Sequence, residues 1–237
     1  MGVSDKFRGA VRLASDVVRV QGVRRSWFLR LSRPANLFQP YNDTCADRYP
    51  EIFARLQHEI EDQPSSRLLS FGCSLGDEVF SLRTYFPEAT IVGIDISKGN
   101  ISECRRRQRE HGDRNMYFAR AGTVDEQPKG YYDAALCMAV LRHGDLGAIQ
   151  SESCAHRITY EAFDETVRGL ASCLKIGGYL VIEHSNFRFC DSSSATQFEL
   201  VATHELPAAG QVSPLFGRDN MRLHDQEYRE VIFRKKR

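Results

Sequence analysis

The residues best equipped for chemistry cluster at 67–82, RLLSFGCSLGDEVFSL, where an apolar run meets Gly72 and Gly76 and then the acidic pair Asp77 and Glu78. A chain that leaves a strand through glycines and enters a helix presents backbone N–H donors at the helix start, and the absent side chains let a polar ligand reach them. Such a turn also needs glycine for steric reasons, so by itself it reads equally as a cradle or as a plain connection. Asp95 favours the cradle. It closes TIVGID 23 residues after Gly72, the spacing at which a carboxylate accepts from the two hydroxyls of a ribose. Its other reading is as a cap for the helix starting near Ser97. Between Gly72 and Glu78 there is no arginine or lysine, so a pyrophosphate lacks a cationic partner and a cationic ligand is better served. Gly72, Ser74 and Asp77 hold the three places of the G-x-G-x-x-G fingerprint, which disfavours a nicotinamide-dependent oxidoreductase.

Two histidines, His143 in LRHGD and His184 in IEHSNFRF, fall just past apolar runs, where open α/β sheets place their ligands. Imidazole titrates near neutral pH, so either is a candidate general base for a hydroxyl acceptor. Organising a loop or binding a substrate is the alternative role for both. Asp145, Glu183 and Asn186 lie close by in sequence and would be the ligands of a magnesium-assisted site. They show no recognisable metal-ligand spacing, and no metal is expected. The seven cysteines are scattered and never spaced C-x-x-C, which fits reduced thiols rather than disulfides or zinc. Cys73 and Cys137 read as small buried residues.

These groups need a scaffold, and the chain has the material for one: 237 residues, 42% hydrophobic and 27% charged, enough for the core of one large domain. With 32 basic and 31 acidic residues, bulk electrostatic binding to nucleic acid is not expected. The longest apolar run, 134–141, is far too short to span a bilayer, and no secretory signal opens the chain, so a cytoplasmic protein is expected. Short apolar runs at 68–71, 90–94, 116–119, 134–138 and 179–183 alternate with helical stretches, which predicts a parallel sheet covered on both faces. One such helix carries Phe163, Val167, Leu170 and Leu174 on a single face, ended by Gly177 and Gly178. After the fifth strand, runs at 198–206 and 228–234 predict an antiparallel finish at one sheet edge, with the terminal RKKR as its solvated end.

Residues 1–66 form a helical preface. A basic amphipathic helix is predicted over 7–18, and residues 1–33 carry eight basic residues against two acidic ones. Its face either packs beside the main domain or meets an anionic membrane or glycan. A second helix is predicted after Pro50, with Ile52, Phe53, Leu56 and Ile60 inward and Pro64 at its end. The aromatic and charged stretch 38–53 is either a lid over the ligand pocket or a packed linker. The polar stretch 142–157 is expected to border the acceptor pocket.

Taken together, residues 66–190 resemble the class I S-adenosylmethionine-dependent methyltransferases. LSFGCSLGDE stands where the family has its glycine motif, GIDIS resembles the acidic second motif, and FARAGTV the third-strand segment. YYDAALCMAVLRH resembles the fourth strand with its lead-in Asp133, and LKIGGYLVIEH the glycine-turned fifth. Ser70 replaces a frequent Asp and Ser74 a frequent Gly. FGCSLGDEVFSL is also similar to the glycine loop of chemotaxis-receptor glutamate methyltransferases, which carry a different N-terminal domain. The resemblance implies a Rossmann-like, doubly wound α/β fold with a seven-stranded, mostly parallel sheet in the order 3-2-1-4-5-7-6, strand seven antiparallel. The methyltransferase domain would occupy 67–237 behind an extension at 1–66.

For S-adenosyl-L-methionine, the resemblance implies Gly72, Cys73, Ser74 and Gly76 around the methionine portion and Asp95 on the ribose. Ile96 would pack on adenine, Ala121, Gly122 and Thr123 would lie at its edge, and Met138 and Ala139 beside the sulfonium. The paired histidines, and the absence of the N-P-P-Y type tetrapeptide of amino-group acceptors, point to O-methylation of a small molecule or glycan, with no nucleic-acid partner. Carboxyl methylation of a protein and a cofactor-binding module without catalysis are the alternatives. The sequence carries no signal for an oligomeric state.

Overall fold

Five apolar runs become the parallel centre of one seven-stranded sheet, ordered β3-β2-β1-β4-β5-β9-β6. The computed structural model describes residues 37–42, 44–148, 151–204, 213–224 and 226–236. The helix predicted over 7–18 and its basic stretch lie outside them. The central strands are β1 (Arg67–Phe71), β2 (Thr90–Asp95), β3 (Met116–Arg120), β4 (Tyr132–Met138) and β5 (Leu174–Glu183), all mutually parallel. The helices are α1 (Pro50–Glu59), α2 (Asp77–Tyr85), α3 (Lys98–His111), the short α4 (Asp145–Ala148) and α5 (Tyr160–Cys173). None of the described helices is long and apolar enough to cross a membrane.

Side chains alternate across a strand, so the sheet divides its apolar residues between two cores. Leu69, Phe71, Ala135, Cys137, Leu180 and Ile182 join Phe163, Val167 and Leu170 of α5 on one face. Leu68, Ala134, Leu136 and Val181 join Val79 and Leu82 of α2 and Ile101 of α3 on the other. Ile52, Phe53 and Leu56 of α1 enter that second core, so α1 packs directly on the sheet domain. Pro50 occupies the start of α1, where its missing N–H has no partner to lose. The helix ends at Glu59, five residues before Pro64.

The sheet ends with β6 (Phe198–Thr203) at the edge and β9 (Glu230–Lys235) inserted antiparallel between β5 and β6. Between them a two-stranded hairpin, β7 (Leu215–Phe216) and β8 (Arg222–Leu223), forms a second small sheet that no alternating pattern announced. Two further details depart from expectation. Gly177 and Gly178 do not end α5, which stops at Cys173. They lie inside β5 where its register with β4 shifts, Gly177 at φ +82° and a Gly178 Cβ only 3.0 Å from Lys175 O, so the backbone there has no room for a side chain. Lys235 is not simply solvated, because its Nζ donates to the carbonyls of Ala171 and Leu174 at 2.7 and 3.0 Å and caps the end of α5.

The turn after β1 is fixed by Gly72, at φ +74°, where an added Cβ would lie 2.4 Å from Val140 Cγ2. Its N–H donates to Ile94 O at 2.8 Å, tying the turn to β2. Gly72→Ala therefore combines left-handed backbone strain with steric overlap and is expected to lower stability by about 2 kcal/mol. The denaturant midpoint measures this, and an unchanged midpoint would show that the turn relaxes freely.

Candidate active site

At the carboxyl ends of β1, β2 and β4 the structure encloses a cavity of about 250 Å³. Crevices form at this end of an open parallel sheet where neighbouring strands send their connections to opposite faces. Gly72, Cys73 and Ser74 from the glycine turn, Asp95 and Ile96 from the end of β2, Ala121 and Gly122 beyond β3, and Met138 and Ala139 at the end of β4 all line it. Gly76 and Thr123 are not among the lining residues. Gly76, at φ +90°, starts α2, and a Cβ there would press on Phe80, Cys104 and Phe118, so its role in the fold is close packing. Thr123 turns its hydroxyl to Asp125, 2.8 Å away.

Backbone strain concentrates here. Ser74, Ala139 and His184, at φ +51°, +56° and +52°, follow β1, β4 and β5, three of the five non-glycine residues with positive φ among the described residues. Left-handed backbone at a residue with a Cβ is held only where the surroundings fix it, a feature of ligand sites.

Asp95 is buried and accepts from Ser74 N at 2.9 Å, Ser97 N at 2.8 Å and Asn100 Nδ2 at 3.1 Å. Asp95 lines the cavity and ties the glycine turn to the start of α3, but the cap of that helix is the Ser97 hydroxyl rather than Asp95. Burial pushes its carboxyl above the usual range, and the three hydrogen bonds oppose that shift.

Glu78, which the sequence offers only as one of an acidic pair with no assigned role, is a lining residue. It stands on the first turn of α2, lines the cavity and accepts a 2.7 Å hydrogen bond from Ser70 Oγ. Burial pushes its carboxyl up to about 7, while the Ser70 hydrogen bond and the Arg48 charge pull the other way. The serine that replaces the family's frequent Asp on β1 is thus paired with a carboxylate delivered from the neighbouring helix. That serine, followed by acids seven and eight residues on, was the signal in the sequence.

Leu37, Phe38, Gln39, Tyr41, Asn42, Arg48 and Tyr49, from the residues preceding α1, also line the cavity. Several buried polar atoms of the lining make no hydrogen bond: Gln39 Oε1, Asn42 Nδ2, Tyr49 Oη and Asn100 Oδ1. Buried polar groups are almost always paired, so four such atoms around one cavity mark a place shaped for a polar ligand. Arg142 and Gly144 from the stretch after β4 complete the lining.

The two histidines sit behind the cavity and are not among its lining residues. His143 is buried, its Nδ1 accepting from Asp145 N at 3.3 Å and its backbone N–H donating to Asn186 Oδ1 at 2.7 Å. His184 packs beside the Tyr49 ring at 5.9 Å, and burial with the Arg142 and Arg48 charges drives its imidazole down to about 4, neutral at physiological pH. Asp145 is engaged by Tyr41 Oη at 2.5 Å, Asn186 donates to Pro214 O at 2.7 Å, and Glu183 lies 3.6 Å from His204 Nδ1. Among the described residues no group of three or more His, Cys, Asp or Glu side chains is arranged to hold a metal ion.

The family described as "Methyltransferase domain" matches residues 62–234. The chain belongs to the class I S-adenosylmethionine-dependent methyltransferases. An uncharacterized protein of Rickettsia prowazekii, RP789, is 25% identical to it over 113 residues, 43% of this chain and 20% of that protein. YcgJ of Bacillus subtilis shares 14% identity at a TM-score of 0.51 over 80% of this chain and 99% of its own, a likeness of fold. Phosphoethanolamine N-methyltransferase 2 of Haemonchus contortus, solved with S-adenosyl-L-methionine, shares 15% identity at a TM-score of 0.44, over 71% of this chain and 32% of that one. The methyltransferase match begins in the residues just before β1 and reaches into β9, so it spans the whole seven-stranded sheet.

Proposed function

We propose that this chain transfers the methyl group of S-adenosylmethionine to an oxygen of a small molecule or glycan. The observation that carries the reading is the pair of carboxylates, Asp95 and Glu78, set on either side of one glycine turn and facing one cavity. The cofactor carries a ribose, an amino group and a carboxylate, and the lining offers a complement to each. Asp95 uses three of its roughly four lone-pair directions within the protein, which leaves room for a ribose hydroxyl. Glu78 suits an ammonium, because a nearby cation relieves the cost of its buried charge. Arg48, whose charge already acts on Glu78, suits the carboxylate beside that ammonium. The unpaired Asn42 and Asn100 amide atoms supply further hydrogen bonds.

When bound, S-adenosylmethionine supplies a methyl group already activated by a positively charged sulfur. The protein's part is then alignment and exclusion of water. Met138 and Ala139 fix one side of the cavity, and residues 37–42 and 44–49 cover it. That cover, in a cavity of this size, favours a small acceptor. His143 and His184 stand one layer back, where they position the stretch after β4 and the Tyr49 ring.

Titration calorimetry with S-adenosylhomocysteine tests the reading. One molecule is expected to bind per chain, with no measurable heat from NAD; preference for NAD would overturn it.

A further inference from the structure

We infer that the acceptor is a carboxylic acid, methylated on a carboxylate oxygen and held by the Arg142 guanidinium and the Tyr49 hydroxyl. This rests on the methyl-transfer reading above and names its substrate class. Arg142 lies three residues beyond Ala139, and Tyr49 precedes α1; both line the same cavity. Tyr49 is 8% exposed, and its hydroxyl has no hydrogen-bond partner. Burial raises its pKa, so the hydroxyl keeps its proton and acts as a donor. A guanidinium has no acceptor, so this wall of donors suits a ligand that only accepts, as a carboxylate does.

The second strand of the argument is the base. A hydroxyl acceptor has to lose a proton, and the described lining residues include no histidine or lysine. His184 is too weak a base, and the His143 Nδ1 already accepts from Asp145 N. Glu78 is the counterion of the cofactor's ammonium. A carboxylate is ionised at neutral pH and needs no base. A lone pair on one of its oxygens forms the new C–O bond while the methyl–sulfur bond breaks, its electron pair passing to sulfur. The sulfonium becomes a neutral thioether, the carboxylate becomes a neutral methyl ester, and no proton is released. Opposite charges cancel along this path, which a water-excluding cavity assists.

The test uses the full chain saturated with S-adenosylhomocysteine and titrated with acetate, hexanoate, benzoate and phenylacetate, each against its own carboxamide. At least one acid is expected to bind about tenfold more tightly than its amide. Arg142→Gln is expected to abolish that preference and Arg142→Lys to keep part of it, with S-adenosylhomocysteine affinity unchanged in both. If no acid in the set outbinds its amide, the inference fails while the methyl-transfer reading stands; if S-adenosylhomocysteine itself does not bind, both fail. With methyl-labelled S-adenosylmethionine and the best-binding acid, the product should release labelled methanol in mild base. A base-stable product, or no product, would overturn the inference.

Discussion

Asp95→Ala is expected to weaken S-adenosylhomocysteine binding by roughly 10- to 100-fold, the cost of about 1–3 kcal/mol for leaving ribose hydroxyls without a charged acceptor. The same change strips partners from the Ser74 and Ser97 amides and from Asn100 Nδ2. The glycine turn and the start of α3 therefore loosen together, and the fold is expected to lose about 3 kcal/mol as well. Asp95→Asn separates the two effects. It keeps the side chain's size and one carbonyl acceptor but removes the charge, so it should recover part of the stability and little of the affinity. Calorimetry alongside denaturant unfolding measures both, and wild-type affinity in Asp95→Ala would remove this carboxylate from the cofactor site.

Glu78→Gln is expected to act in opposite directions on stability and binding. In the folded protein the Glu78 carboxyl titrates at about 7, against an ordinary value of 4.5. Between those values the native state holds a proton that the unfolded chain has released, so this group's contribution to stability falls as pH rises from 4.5 through 7. Above that window the buried charge is a standing penalty, which glutamine removes while still accepting from Ser70. Glu78→Gln should thus melt higher than the parent at about pH 8 and show a flatter pH dependence of stability. A ligand ammonium has the reverse preference and favours the ionised form. Wild-type affinity for S-adenosylhomocysteine should therefore rise from about pH 5 to about pH 8, whereas Glu78→Gln should bind more weakly with a flat profile. A flat wild-type profile would show that Glu78 does not face the ammonium.

Most of the lining at the strand ends was legible because it belongs to segments whose local pattern and place in chain order are both distinctive. Gly72, Cys73 and Ser74 sit in one strand-to-helix turn, Asp95 and Ile96 end one apolar run, and Met138 and Ala139 end another. In a parallel sheet those ends necessarily gather at one edge, so the topology converts order in sequence into proximity. Glu78 was not legible in this way. A helix residue's direction depends on the phase of the helix against the strand, and only the Ser70 hydrogen bond shows that its carboxylate replaces one expected on β1.

The histidines teach the complementary lesson. Both follow strand ends, as ligand-facing residues do, yet neither is among the residues that line the cavity, His184 holding left-handed backbone and His143 bonding to Asn186 and Asp145. Gly177 and Gly178 read as a helix stop and serve as a kink inside β5, because a glycine pair marks special backbone without saying which kind.

The sequence by itself determined the parallel sheet, its strand order through the family resemblance, and the glycine turn with Asp95 at the end of the neighbouring strand. Hydrophobic periodicity and turn chemistry are local, and a handed crossover leaves few ways to join such strands. Only the tertiary structure decided that residues preceding α1, from Leu37 to Asn42 and from Thr44 to Tyr49, contribute to the cavity lining, that Glu78 joins Asp95 there, and that Arg142 and Tyr49 line the same cavity. Those groups lie far apart along the chain, and their meeting is fixed by how α1 and the stretch after β4 pack on the finished sheet, which no short-range pattern encodes.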